Sequence, residues 1–112
     1  MFTIGCHLSS AKGYLHMAKD AVSIDANTFQ FFTRNPRGGR AKAIDPKDIA
    51  AFAAYAPEHG IERILAHAPY TLNPASDKQQ TRDFALMVLA EGLGRMEETP
   101  HQLYNMHPGS AV

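Results

Sequence analysis

The chain lacks a second cysteine. Cys6 stands alone inside an apolar run, so no internal disulfide can form and the chain does not read as a secreted, stapled domain. It also lacks a charge excess. Eleven basic residues meet eleven acidic ones, so net charge is silent about partners and any attraction for nucleic acid must be local. The opening Met1-Phe2-Thr3-Ile4-Gly5 has neither the basic region nor the long apolar stretch of a signal peptide. No run approaches the roughly 18 apolar residues that span a bilayer. The expectation is a cytoplasmic protein with no membrane partner. Several catalytic templates are missing too: Gly-x-Gly-x-x-Gly, the Walker loop, Cys-x-x-Cys and Gly-x-Ser-x-Gly. What is present is ordinary for a folded domain. With 45% apolar and 20% charged residues over 112 positions, the chain is too apolar for disorder and long enough for one domain with a real core.

Short apolar runs alternate with longer helical patterns. Phe2 to His7 reads as a strand, followed by a helix from about Gly13 to Ser23 with Leu15, Ala18 and Val22 on one face. Thr28-Phe29-Gln30-Phe31-Phe32 is dense in β-formers and runs into a loop holding Asn35, Pro36, Gly38 and Gly39. A second helix opens with Asp45 as N-cap and Pro46 at the first helical position, and Asp48 suits the positive end of its dipole. It turns Ile49, Phe52 and Ala53 inward and stops near Pro57. Arg63 to His67 reads as a third strand. The longest helix, about Asp77 to Glu98, carries an apolar stripe of Ala85, Leu89, Leu93 and Met96. Gly92 and Gly94 inside it should each cost about 1 kcal/mol relative to alanine. Leu103 to His107 is a fourth strand.

The order β-α-β-α-β-α-β implies parallel strands with right-handed crossovers. Such a sheet fits either a small doubly wound domain or part of a (β/α)8 barrel. A complete barrel needs about 250 residues, and the chain is too short for one.

Three predicted strands end in histidine: His7, His67 and His107. Ligands of parallel α/β folds bind beyond the carboxyl ends of the strands, so these side chains should gather at one mouth. Imidazole is a good zinc ligand, and zinc with an open position activates water near neutral pH. Solvated strand-end histidines are the competing reading. His16, His59 and His101 read as surface residues on helices or turns. The loop Thr33-Arg34-Asn35-Pro36-Arg37-Gly38-Gly39-Arg40-Ala41-Lys42 holds four cations and no acid. At the mouth of the sheet it would neutralise phosphates, or else it is simply a solvated loop. Tyr70, three residues after His67, is suited to stacking on a sugar or base, or to packing its own loop.

Four stretches together resemble the endonuclease IV family of apurinic/apyrimidinic endonucleases. They are Ile4-Gly5-Cys6-His7-Leu8-Ser9, Phe32-Thr33-Arg34-Asn35-Pro36-Arg37, Ala66-His67-Ala68-Pro69-Tyr70-Thr71-Leu72-Asn73 and Tyr104-Asn105-Met106-His107-Pro108-Gly109-Ser110. They stand in family order with family-like spacing across essentially the whole chain, and His-Pro-Gly-Ser at a strand end is the most specific. The resemblance implies a xylose-isomerase-like TIM barrel of which residues 1–112 are the N-terminal portion, about four β/α units, truncated after the fourth strand. It implies three zinc ions and cleavage of DNA 5′ to abasic sites. By position, His67 and His107 match zinc-ligating histidines, and Arg37 matches a residue of the loop inserted at the lesion. Tyr70 matches an aromatic that contacts DNA there, with Arg34, Asn35 and Arg40 on the same DNA-facing loop. His7 falls near the metal centre without being a direct ligand.

Three departures from the family qualify this. The later metal ligands would lie beyond Val112. Gly39 stands where some members carry a large aromatic, and Gly92 and Gly94 look poorly suited to a helix. Two other readings compete: a sugar-isomerase-like barrel enzyme, and a non-catalytic half-barrel that binds DNA or self-associates through open sheet edges.

Overall fold

A computed structural model describes residues 2–37, 40–99 and 102–111. The expectations for Gly39 and His101 lie outside the described residues. Four strands alternate with three helices: β1 (Gly5–His7), α1 (Tyr14–Ser23), β2 (Thr28–Phe32), α2 (Pro46–Glu58), β3 (Leu65–His67), α3 (Gln79–Met96) and β4 (Leu103–Asn105). All neighbouring strands are parallel, in the order β1-β2-β3-β4. This decides between the two architectures. A doubly wound sheet reverses its strand order at a switch point, whereas a monotonic order with right-handed crossovers keeps every helix on one face, as in a barrel wall.

That outer face holds the core. Phe29, Phe31, Ile64 and Ala66 are buried with Met17, Ala18 and Ala21 of α1 and Phe52 and Ala56 of α2. The aromatic rings interlock edge to face: Tyr14 meets Phe31 at 5.3 Å, and Phe29 meets Phe52 at 6.2 Å. A smaller cluster of Ala68, Leu72, Ala85 and Val88 lies under α3, and Tyr104 touches both clusters.

Several expected boundaries shift for traceable reasons. Residues 2–4 do not join β1, because Asn27 occupies their polar groups. Its Oδ1 accepts from Ile4 N at 2.7 Å, and its Nδ2 donates to Phe2 O at 2.9 Å. At β3, the carbonyl of Arg63 accepts from the Thr28 hydroxyl instead of a ladder N–H. The backbone beyond β4 leaves the ladder after Asn105 O accepts from Ala68 N, so His107 lies two residues past the strand. Pro57 sits inside α2, which runs on to Glu58. The third helix is shorter at both ends than Asp77 to Glu98.

Facing also differs. Ala53 is exposed, and Ala56 takes the inward position. In α1, Leu15 and Val22 are half-buried while Met17 and Ala21 join Ala18 in the core. Leu93 is 54% exposed, and α3 instead buries Ala85, Val88 and Gly92. Gly92 suits its position after all. A Cβ there would strike the Tyr104 hydroxyl oxygen, so the missing side chain is what lets β4 approach α3. Asp45 caps α2 as expected, accepting from Lys47 N at 3.0 Å. Asp48, besides standing in the first turn of α2, reaches across to α1: its carboxylate accepts from Tyr14 N at 2.7 Å and Leu15 N at 3.1 Å.

Candidate metal ligands and nucleic-acid face

The strand ends converge. His67 closes β3 and is buried at 7% exposure. Its Nδ1 bonds the carbonyl oxygen of Ala68. A carbonyl only accepts, so the imidazole proton sits on Nδ1 and Nε2 keeps its lone pair. His107 is exposed, with its ring 5.2 Å from that of His67 at 75°. His7 closes β1, and the Gln30 amide donates to its Nδ1 at 2.9 Å. That bond puts the proton of the neutral ring on Nε2 and leaves no free lone pair. Partial burial, and then the neighbouring His67, push the His7 pKa below its ordinary value. Phe32 stands between the two strands' histidines, 4.6 Å from His7 and 5.3 Å from His67. Four rings therefore cross the carboxyl end of the sheet in one row.

The cationic loop borders this row. The Arg37 guanidinium Nε donates to the Tyr70 hydroxyl at 3.5 Å, and Tyr70 packs on Phe32 at 5.9 Å. Hydrogen bonding to Tyr70 raises the Arg37 pKa above its ordinary value, which reinforces its charge. Asn35 Oδ1 accepts from Arg37 N at 2.9 Å and shapes the turn. Arg34 pairs with Glu91 of α3 at 3.4 Å, and Lys42 donates to Ala11 O at 3.2 Å. Arg40 is exposed. Behind the loop lies a cavity of about 480 Å³ lined by Lys12, Arg34, Arg40, Lys42 and Arg95 with Asp45 and Asp48. Thr71 donates to Pro36 O at 2.7 Å and ties this loop to the one after β3.

Sequence reasoning missed some of these supports. Phe32 and Gln30 share a face by the two-residue period of β2, a signal present in the sequence. The clamp beyond β4 has no local signal. Asn73 donates to Ser110 O at 2.8 Å and accepts from Ser110 N at 2.9 Å. Gly109 stands at φ 86°, where a Cβ would strike Asn73. His16 pairs with Asp20 and His59 stacks on Tyr55, both away from the row. Among the described residues, no three His, Cys, Asp or Glu side chains are grouped closely enough to hold a metal ion. His67 and His107 stand as a pair. No helix among the described residues is long and apolar enough to cross a membrane.

Comparison with known proteins agrees with this geometry. Residues 18–112 match the family described as xylose isomerase-like TIM barrel. "Probable endonuclease 4" of Akkermansia muciniphila is 61% identical over 109 residues, covering 97% of this chain and 39% of that protein. The protein of the same name from Alkaliphilus oremlandii is 59% identical over 110 residues, 98% of this chain and 39% of its own length. The crystal structure of endonuclease IV from Thermus thermophilus superposes with a TM-score of 0.86 at 26% identity, over 97% of this chain and 42% of that one. The chain thus spans about 40% of the length of the relatives it matches. It belongs to the xylose isomerase-like TIM barrel family and, over its whole length, resembles endonuclease IV.

Proposed function

We propose that this chain supplies part of the metal site and the lesion-facing loops of a DNA repair endonuclease that cuts the backbone 5′ to abasic sites, working in the cytoplasm. One observation carries the reading: two imidazoles 5.2 Å apart at the carboxyl end of a parallel sheet, bordered by a cationic loop and an exposed tyrosine.

The donor chemistry fits zinc in part. His67 offers Nε2 because Ala68 O holds its other nitrogen, and such second partners orient ligating histidines. His107 offers the second imidazole. A catalytic zinc normally takes three protein ligands, so further donors belong to segments outside these residues. When bound, zinc supplies a Lewis acid and a water of lowered pKa. Arg37 and Arg40 neutralise phosphate oxygens, which fixes register without reading sequence. Tyr70, 43% exposed and bonded to Arg37, offers a ring to the unpaired site. Arg34, tied to Glu91, and Asn35, tied to Arg37 N, hold the loop in shape. His7 positions Gln30 and Phe32 behind the metal pair. The same cations weigh against a neutral sugar as substrate.

The test is a chimera in which this chain replaces the matching segment of the Alkaliphilus relative. It should bind zinc and incise abasic duplex DNA. His67→Ala and His107→Ala should each lower both zinc content and incision at least tenfold. Arg37→Ala should weaken lesion binding with zinc content unchanged, and Arg40→Ala should flatten the salt dependence. Full zinc content and unchanged incision in both histidine variants would overturn the assignment.

A further inference from the structure

The two imidazoles of the metal pair are held in different ways. His67 closes β3, is buried, and bonds Ala68 O through Nδ1. His107 lies two residues past β4, beyond the bond from Ala68 N to Asn105 O at 2.9 Å. Its backbone is outside the sheet, yet its ring stands 5.2 Å from that of His67.

The chain is caught again at Ser110, by Asn73 of the loop after β3. Asn73 Nδ2 donates to Ser110 O at 2.8 Å, and Asn73 Oδ1 accepts from Ser110 N at 2.9 Å. One carboxamide thus satisfies both backbone groups of one residue, as a ladder partner would. A carboxylate there could accept but not donate, and alanine could do neither. The link from this clamp back to His107 is short and stiff. Pro108 has a fixed φ and confines His107, the residue before it, to extended backbone. Gly109 stands at φ 86°, and a Cβ on it would strike Asn73 Oδ1, so a side chain there would push the carboxamide off the chain. The other end of the clamp is anchored as well. Asn73 O accepts from Ser76 N at 3.2 Å, and the adjacent Leu72 is buried in one cluster with Ala68, the neighbour of His67.

We propose that Asn73 is a positioning residue for the metal pair: by binding both backbone groups of Ser110, it fixes His107 to the same loop that carries His67. This rests on the metal reading of the two histidines and deepens it. Ligands set in place before the metal arrives lose less freedom on binding. Groups that orient ligating side chains change metal affinity about 10–100-fold when removed.

The test uses the chimera with the Alkaliphilus relative and reads zinc affinity by competition with a chromophoric chelator, a measurement that needs no catalysis. Asn73→Ala, Asn73→Asp and Gly109→Ala should each weaken zinc binding about 10–100-fold, with the zinc-free Asn73→Ala protein melting close to its parent. Ser76→Ala removes the hydroxyl that accepts from Lys78 N at 3.1 Å in the same loop and should leave zinc affinity unchanged. In a His107→Ala background there is no second imidazole to place, so Asn73→Ala should have no further effect. Unchanged zinc affinity in Asn73→Ala, beside a loss in His107→Ala, would overturn the positioning role alone. So would an equal loss in Ser76→Ala, or an additive loss in the double variant. Zinc affinity unchanged in His107→Ala itself would overturn the metal reading, and the role of Asn73 with it.

Discussion

The junction between α1 and α2 rests on one carboxylate, and its removal should be measurable. Helix α1 starts at Tyr14, and the Gly13 before it, at φ 93°, has no side chain to cap the first turn. Asp48, 34 residues away, accepts from Tyr14 N at 2.7 Å and thereby does what a local Ser or Asp would do. Losing an N-cap costs about 0.5–2 kcal/mol, and losing a negative charge at the dipole's positive end costs about 0.3–1 kcal/mol more. Asp48 is half-buried, so water replaces the lost bonds only in part, while alanine regains some helix propensity within α2. The net for Asp48→Ala is about 2 kcal/mol, or roughly 8 °C in Tm for a domain of this size. Asp48→Asn keeps an acceptor without the charge and should lose about half as much. Asp45→Ala removes a single exposed bond of 3.0 Å and should cost about 1 kcal/mol. Urea and thermal melts at fixed protein concentration give the order. If Asp48→Ala costs no more than Asp45→Ala, the cross-helix cap contributes nothing and the reasoning fails.

The two glycines of α3 should respond in opposite directions. Gly94→Ala meets nothing within 4 Å and should stabilise by up to about 1 kcal/mol, whereas Gly92→Ala strikes the Tyr104 hydroxyl and should destabilise by about 1–3 kcal/mol. Equal Tm shifts of the same sign would refute this. Phe31→Ala, at 2% exposure between Phe29 and Tyr14, should cost about 3–5 kcal/mol; a loss below 1 kcal/mol in urea melts would remove it from the core. Burial raises the Tyr14 pKa above 10.0, opposed by Arg95 and Thr99 and assisted by Asp48 and Glu98. The unfolded chain therefore loses this proton first, so the associated stability is present below pH 10.0 and is lost as pH rises towards the folded value. Tyr14→Phe should flatten that alkaline decline, and an unchanged slope would count against the buried hydroxyl. Asn73→Ala removes both bonds to Ser110 and should speed amide exchange at Ser110 with little effect on global Tm; unchanged exchange would show that the clamp does not hold the segment after β4.

The sequence by itself determined the alternation of strands and helices, because each element carries its own period and punctuation. Thr28 to Phe32 was legible residue for residue, and so was the Asp45-Pro46 start of α2, since both signals are local. Histidines at the ends of β1 and β3 could be read for the same reason: a strand end is a position in sequence before it is a place in space. What only the tertiary structure decided depends on distant partners. The strand order β1-β2-β3-β4, and with it a barrel wall over a doubly wound sheet, is fixed by which crossovers pack side by side. The short β1 follows from Asn27 capturing the polar groups of residues 2–4, and the tolerance of Gly92 follows from Tyr104, twelve residues on in the chain. The sorting of the four loop cations, Arg34 to Glu91, Arg37 to Tyr70, Lys42 to Ala11 and Arg40 to solvent, needs three other segments at once. Composition marks such a loop as basic, but a side chain's partner depends on which backbone arrives beside it, and that is settled only when the chain has folded.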